Sequence, residues 1–429
     1  CLARFCAISR VNVKPGTGAD VADAYMLLVL DEEVEKELRS LAYSREVAGP
    51  LLLRGFSAHL NLDEDLMVLE SGTQGLPFPL RRETVPVACY VVGLPLAEYP
   101  SYPEHPGSHN DAAALVIACI ETPDPSLKVW YFGSKGAPAQ ACQLEVVHLK
   151  SDLFSRVRGV FDTLLLTPKT VCVIGLGSGG SLGVLELAKT GVGNFILVDF
   201  DRLGAHNISR HVCGLSDIGR FKTRAMRDAI WQHHPEASVT CYESDVTEDE
   251  GLLESIVGSS DLVFVATDNE ISKYMINEAC LAAAVPAVYG GVYERAFAGE
   301  IVRIVPGESG CYTCVRQGMA KTMRSISTHQ VFDYTEDEEL QAEPGLGLDV
   351  SMVAMIHAKL ALTTLLRGTG SMVADIDADM IIWVNSASPE DGDMFSRPLT
   401  RHLVRIAKDN GCPACGLDNY DTAGEATSF

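Results

Sequence analysis

The middle of the chain shows a regular alternation of short apolar runs and amphipathic stretches. Residues 171–175 form a strand-sized apolar run, 181–189 repeat apolar positions at helical spacing, and 195–199 form a second apolar run. The alternation continues with a helix over 222–234, strands over 239–242 and 261–266, a helix over 271–284 and a strand over 287–289. Strands separated by helices need crossover connections, and right-handed βαβ crossovers produce a parallel sheet with helices on both faces. The predicted fold class is therefore α/β, a doubly wound Rossmann-like parallel sheet.

The flanks read differently. Residues 1–150 combine a helical stretch at 31–42, a Pro-rich turn region at 94–106 and apolar runs at 85–92, 112–120 and 127–132. This predicts a smaller mixed α/β domain, inactive or partner-binding, since it holds no glycine-rich fingerprint and no metal-spaced Cys or His. Residues 151–166 predict an amphipathic connector helix. After residue 314, the polar, acidic stretch 316–343 predicts a long crossover loop, 349–366 a packed apolar core helix, and 381–384 a late strand. The predicted domains are 1–150, then a nucleotide-binding domain at 151–318, then 319–429 completing it with the loop, the core helix and a cysteine-bearing segment.

Composition narrows the function classes. A chain of 429 residues exceeds one ordinary domain, and 47% hydrophobic with 21% charged residues is globular. A formal net charge of −23 argues against nucleic acid or an anionic membrane as the main partner. The longest apolar runs read as strand-sized, short of the roughly 20 residues that span a bilayer. No charged-then-apolar leader opens the sequence, and Cys1 in place of Met points to a trimmed start. Most of the 13 cysteines sit in apolar runs (Cys89, Cys119, Cys172 and Cys280 among them), which fits reduced thiols and a cytoplasmic location.

The chemistry begins at Gly175-Leu-Gly177-Ser178-Gly179-Gly180, directly after a predicted strand and opening a helix. Glycines allow a tight turn and a close approach of backbone N–H groups to phosphate, and the helix N-terminus favours an anion. Asp199 ends the next strand, where an acidic side chain accepts hydrogen bonds from ribose hydroxyls. The loop alone serves NAD as well as ATP. The segments after later strands hold Asp201, Asn207, Arg210, Lys222 and Asp268, and strand order brings such segments to one crevice. Arg210 and Lys222 suit triphosphate oxygens, and Asp268 suits Mg²⁺. Two C-x-x-C pairs, Cys311/Cys314 and Cys412/Cys415, suit a closed Cys₄ zinc site; two redox or unrelated pairs are the alternative.

The stretches VIGLGSGGSLG, ILVDFDRL, HNISR, GRFKT, ATDN and GCYTC resemble the ThiF-type adenylyltransferase superfamily, which includes the molybdopterin and thiamine sulfur-carrier adenylyltransferases and the ubiquitin-activating enzymes. The resemblance covers residues 171–318. It implies that Asp199 holds the ribose, that Asn207, Arg210 and Lys222 handle phosphates, and that Asp268 holds Mg²⁺. Gly175, Gly177, Ser178 and Gly180 would form the phosphate loop, with Ser178 standing where many members have glycine. It further implies ATP-dependent adenylation of the C-terminal carboxylate of a ubiquitin-like or sulfur-carrier protein, a structural Zn²⁺ on the four cysteines, a homodimer and a conjugating-enzyme partner.

Many relatives carry a thioester cysteine after the first knuckle, but residues 316–349 contain none. Cys213 is the nearest other candidate and reads more simply as a structural thiol, so no catalytic cysteine is assigned. Arg156 and Arg158 are candidates for an arginine reaching a dimer partner's ATP, with a solvated connector helix as the competing reading. The N-terminal extension suggests a bacterial ubiquitin-like pathway, one serving antiviral defence being a candidate. Three further functions compete: ATP-dependent activation of a peptide or tRNA base, an NAD-dependent oxidoreductase, and a nucleotide-sensing scaffold.

Overall fold

In the computed structural model the chain divides into two compact units, Cys1–Leu153 and Phe154–Phe429. The structure describes residues 153–322, 345–389 and 392–416, and before them eight strands. These are β1 (Met26–Asp31), β2 (Leu51–Leu52), β3 (Phe56–Asn61), β4 (Leu66–Ser71), β5 (Thr84–Pro95), β6 (Ala114–Glu121), β7 (Ser126–Phe132) and β8 (Gln140–Val147). The apolar runs expected near 85–92, 112–120 and 127–132 fall on β5, β6 and β7. The expected helix at 31–42 lies outside the described residues apart from Asp31, which ends β1.

Backbone pairing in this first unit closes on itself. The order β5-β3-β4-β1-β8-β7-β6 returns to β5, with the short β2 added beside it. Closure depends on the length of β5, whose residues 84–87 pair antiparallel with β3 while 88–95 pair parallel with β6. A ring of paired strands leaves fewer open edges than a flat sheet would.

The second unit carries the predicted alternation. Its strands are β9 (Thr170–Ile174), β10 (Asn194–Val198), β11 (Ser238–Tyr242), β12 (Leu262–Val265), β13 (Ala287–Val292), β14 (Ala298–Ile304), β15 (Met380–Val384) and β16 (Thr400–Val404). Its helices are α1 (Ser155–Arg158), α2 (Ser178–Lys189), α3 (Lys222–His233), α4 (Glu250–Gly258), α5 (Glu270–Ala283), α6 (Tyr312–Thr322) and α7 (Gly347–Leu365). The sheet order is β11-β10-β9-β12-β13-β14-β15-β16. The first five strands are parallel and the last three antiparallel. The direction of strand succession reverses at β9, so a crevice opens between the loops after β9 and β12.

Alternate residues of each central strand enter two separate cores. Val171, Val173, Leu197, Phe264 and Val288 pack with α2, α3 and α7, while Cys172, Ile174, Val198, Val265 and Tyr289 pack with α4, α5 and α6. Burial on both faces is what a parallel sheet demands, and it explains why these strands read as continuous apolar runs.

Three expectations need correction. The connector helix expected over 151–166 is only α1 and a 3-10 turn (Thr163–Leu165), because Asp162 accepts from the Leu164 N–H and starts a new turn. The polar stretch from residue 316 begins as a continuation of α6; its remainder, 323–343, lies outside the described residues. The reading that every apolar stretch is strand-sized fails at α7, which is long and apolar enough to cross a membrane. Its side chains instead pack into the protein: Val350, Val353, Ala354, His357, Leu360 and Ala361 are buried against the sheet and α2, as the core-helix reading expects.

Candidate functional site

The loop after β9 owes its shape to two glycines. Gly175 adopts φ +91°, and a Cβ there would lie 2.7 Å from the backbone of Ala266 and Thr267 at the end of β12. Gly180 passes so close to Gly175 that a Cβ would overlap its carbonyl oxygen. Gly177 differs: nothing lies within 4 Å of the direction its Cβ would take. It is the N-cap of α2 and offers no side-chain cap, so the first-turn N–H groups keep donors for an anion.

Around this loop the carboxyl ends of β9, β10, β12 and β13 enclose a cavity of about 590 Å³. It is lined by Gly175, Gly177, Ser178, Asp199, Asp201, Arg210, Lys222 and Asp268, so eight of the ten residues expected at the nucleotide meet in one place. Gly180 and Asn207 do not line it. Gly180 is buried beneath the turn, and the Asn207 Oδ1 accepts from the Gly204 N–H at 2.9 Å, shaping the loop that leads to Arg210.

Asp199 is tied into the backbone. One oxygen accepts from the Leu176 N–H at 2.7 Å and the other from the Asp201 N–H at 2.9 Å. Burial raises its carboxyl above the usual aspartate range; the Lys222 ammonium, 3.8 Å away, and the two N–H donors offset part of that rise. Each carboxylate oxygen has a second lone pair, so both remain able to accept a ribose hydroxyl. Lys222 is buried and donates to Asp201 at 2.7 Å. Asp201 itself is half exposed, so this ion pair orients the Lys222 ammonium more than it stabilises the fold.

Asp268 is exposed to the cavity and its carboxylate meets no partner among the described residues. Its neighbour Asn269 is consumed as the N-cap of α5, accepting from the Ile271 and Ser272 N–H groups. An unengaged carboxylate of this kind is the donor type that a hard divalent cation requires.

Several lining residues were not anticipated. Phe200 lies exposed at the rim, Ser244, Asp245 and Val246 follow β11, and Lys273 on α5 pairs with Glu270 at 2.6 Å. Helix α7 supplies a wall through Val350, Val353, Ala354 and His357. His357 stacks on Phe264 at 3.6 Å and donates from Nε2 to the Val288 carbonyl, and burial brings its pKa down to about 3. It is therefore a neutral wall residue at physiological pH. Ser244–Val246 obey the same strand-end rule that located Asp199 and Asp268, and that rule could have found them.

The two C-x-x-C pairs meet. Cys311 Sγ lies 3.9 Å from Cys314 Sγ and 3.7 Å from Cys412 Sγ, and Cys314 Sγ lies 3.5 Å from Cys415 Sγ; all four are buried and within 4.8 Å of one another. Zn–S bonds of about 2.3 Å in a tetrahedron put sulfurs roughly 3.8 Å apart. The four sulfurs therefore fit zinc with no open position. The other described cysteines are poor nucleophiles. Burial pushes Cys213 and Cys280 up to about 12 and raises Cys172 and Cys241. Cys213 also packs its sulfur 3.6 Å from that of Met226, in keeping with a structural thiol. Arg156 and Arg158 are exposed on α1 and do not line the cavity.

A model of the ThiF family matches residues 154–377, just over half of the chain. The sulfur carrier protein ThiS adenylyltransferase of Escherichia coli is 31% identical over 261 residues, covering 60% of this chain and 89% of that protein. The SAMP-activating enzyme E1 of Haloferax volcanii is 31% identical over 151 residues, 35% of this chain and 54% of that one. Ubiquitin-like modifier-activating enzyme 5 of Dictyostelium discoideum is 30% identical over 158 residues, 34% of this chain and 41% of that one. The chain thus spans about half the length, or less, of these last two relatives.

Proposed function

The chain belongs to the ThiF family, and on that premise we propose that it uses ATP to adenylate the C-terminal carboxylate of a ubiquitin-like or sulfur-carrier protein. The observation that carries this reading is the convergence of an uncapped helix N-terminus, Arg210, Lys222 and the unengaged Asp268 in one cavity. A hydride-transfer site has no need of a carboxylate held beside the phosphate loop.

In this reading the N–H groups at Gly177 and the first turn of α2 hold phosphate oxygens. Asp199 orients the ribose, and Arg210 and Lys222 offset charge on the α-phosphate and the departing pyrophosphate. Asn207 acts at one remove, by shaping the segment that delivers Arg210. Mg²⁺ held by Asp268 would supply charge neutralisation at the phosphates. The carrier's carboxylate oxygen attacks the α-phosphorus, the bond to the bridging oxygen breaks, and pyrophosphate leaves with that electron pair. No proton moves and no protein nucleophile is needed, which agrees with the raised thiols of Cys172, Cys213, Cys241 and Cys280. Cys311, Cys314, Cys412 and Cys415 would hold structural Zn²⁺. The same reading carries a cytoplasmic homodimer, with Arg156 or Arg158 reaching the partner's nucleotide, and a conjugating enzyme or sulfur donor downstream.

The test is exchange of labelled pyrophosphate into ATP, with Mg²⁺ and a panel of ubiquitin-like and sulfur-carrier proteins ending in Gly. Exchange is expected with one member and lost by about 100-fold or more in Asp268→Ala. A protein that binds ATP yet exchanges with no member of the panel overturns the reading.

A further inference from the structure

His211 is buried and directly follows Arg210. Its Nε2 lies 2.9 Å from the Leu176 carbonyl oxygen, and its Nδ1 lies 3.0 Å from the Cys213 backbone nitrogen. A carbonyl can only accept and a backbone N–H can only donate. The ring is therefore the neutral tautomer with its proton on Nε2, donating to Leu176 and accepting from Cys213. Burial, with Lys222 nearby, lowers the pKa of this ring, while Asp217 acts in the opposite direction.

Leu176 is the residue inside the glycine loop, fully buried and gripped from both sides. Its N–H is taken by Asp199 from the end of β10, and its carbonyl by His211. A peptide group is planar and trans, so its C=O and the next N–H point in opposite directions. Holding the Leu176 carbonyl therefore sets the direction of the Gly177 N–H, on the residue that lines the cavity with open space beside it. The same segment docks a second time, through a long contact of 3.5 Å from the Val212 N–H to Ser181 Oγ on α2. Ser181 in turn donates to the Ser178 carbonyl.

We propose that His211 is a positioning residue for nucleotide binding: it fixes the Leu176–Gly177 peptide and joins the Arg210 segment to the phosphate loop, so that loop and cation hold one register. The assignment rests on the nucleotide reading of the cavity, and it gives a role to a residue that touches no part of the cavity itself. Asp199 has the matching role on the other side of Leu176, in addition to its own place in the site.

The experiment measures the Kd of a non-hydrolysable ATP analogue, with Mg²⁺, for the full chain and three variants. His211→Ala removes both hydrogen bonds. His211→Phe removes them while keeping a ring in the core, and stands in should the alanine variant not fold. Both are expected to weaken the analogue by about tenfold. In pyrophosphate exchange they should raise KM for ATP and leave KM for the carrier protein unchanged. His211→Gln, which retains an N–H for the Leu176 carbonyl, is expected to recover binding to within about threefold of wild type. A folded Ala or Phe variant that binds as tightly as wild type overturns the assignment, even if its Tm is lower. So does a Gln variant as weak as the Phe variant. Failure of the wild-type protein to bind the analogue is a different outcome, and overturns the nucleotide reading on which the assignment stands.

Discussion

The cavity at the ends of β9, β10 and β12 and the cluster of four cysteines are both assembled from distant parts of the sequence, yet they are closed in opposite ways. At the cavity, charged groups stand at the surface of an open space, and one of them, Asp268, meets no described partner. At the cysteines, every ligand atom already faces three others within 4.8 Å in a buried setting. A site that keeps donors unspent can exchange what it binds. A site that spends them all on one ion can only hold. On the proposed reading, the cavity carries the chemistry and the cysteine cluster the cohesion.

That division predicts which substitutions should unfold the protein and which should only disable it. The largest effect is expected from Cys412→Ser, or from a zinc chelator, on the melting temperature: a fall of about 10 °C or more. A variant that melts like wild type but has lost nucleotide binding would reverse the comparison. Next comes Gly177→Val. The fold has room for that side chain and its φ of −70° is ordinary, so stability should change by about 1 kcal/mol or less. If phosphate occupies that room, affinity for an ATP analogue should fall by at least about tenfold. Undiminished binding would remove the phosphate from the helix N-terminus.

The smallest effect concerns pH. Burial raises the Asp199 pKa from 3.8, so the folded protein takes up this proton more readily than the unfolded chain. Between the ordinary and the raised value the native state holds the extra proton, and stability from this group grows as pH falls. Ribose binding needs the ionised form, so analogue affinity should decline on acidification at a pH where ordinary aspartates are still charged. The decline should stay within about tenfold down to pH 5 and be flat in Asp199→Asn. An acid limb that survives in Asp199→Asn would assign it to another group.

The parallel half of the second sheet was legible because its signals are local. Strands buried on both faces are continuous apolar runs, and the glycines and Asp199 sit at fixed places after them. β14 was not legible. Its sequence, AGEIVRI, is interrupted by Glu300 and Arg303, yet both are buried. Glu300 is paired with Arg316 and accepts from Tyr293, while Arg303 donates to Asp375 at 2.5 Å and to the carbonyls of Ile376 and Ala378. Those partners lie elsewhere in the sequence, so no local pattern announces them. β16, half exposed at the sheet edge, was hidden for the opposite reason: too little of it is buried to leave a pattern. At the cavity Asp199, Asp201, Arg210, Lys222 and Asp268 were found because their chemistry is distinctive, whereas Asp245 and Lys273 were not. His211 was missed because its partners are backbone atoms. Closure of the first unit was out of reach, since it depends on which residues of β5 pair with β6.

The separation of 101 residues between paired cysteines also has a meaning in time. During synthesis Cys311 and Cys314 leave the ribosome ahead of Cys412 and Cys415, by roughly 5–20 s at common elongation rates. For that interval the nascent chain carries two thiols without the second pair that they meet in the fold. The strands β15 and β16 are made within the same interval. The four cysteines can therefore come together only after every strand of the second sheet has been made.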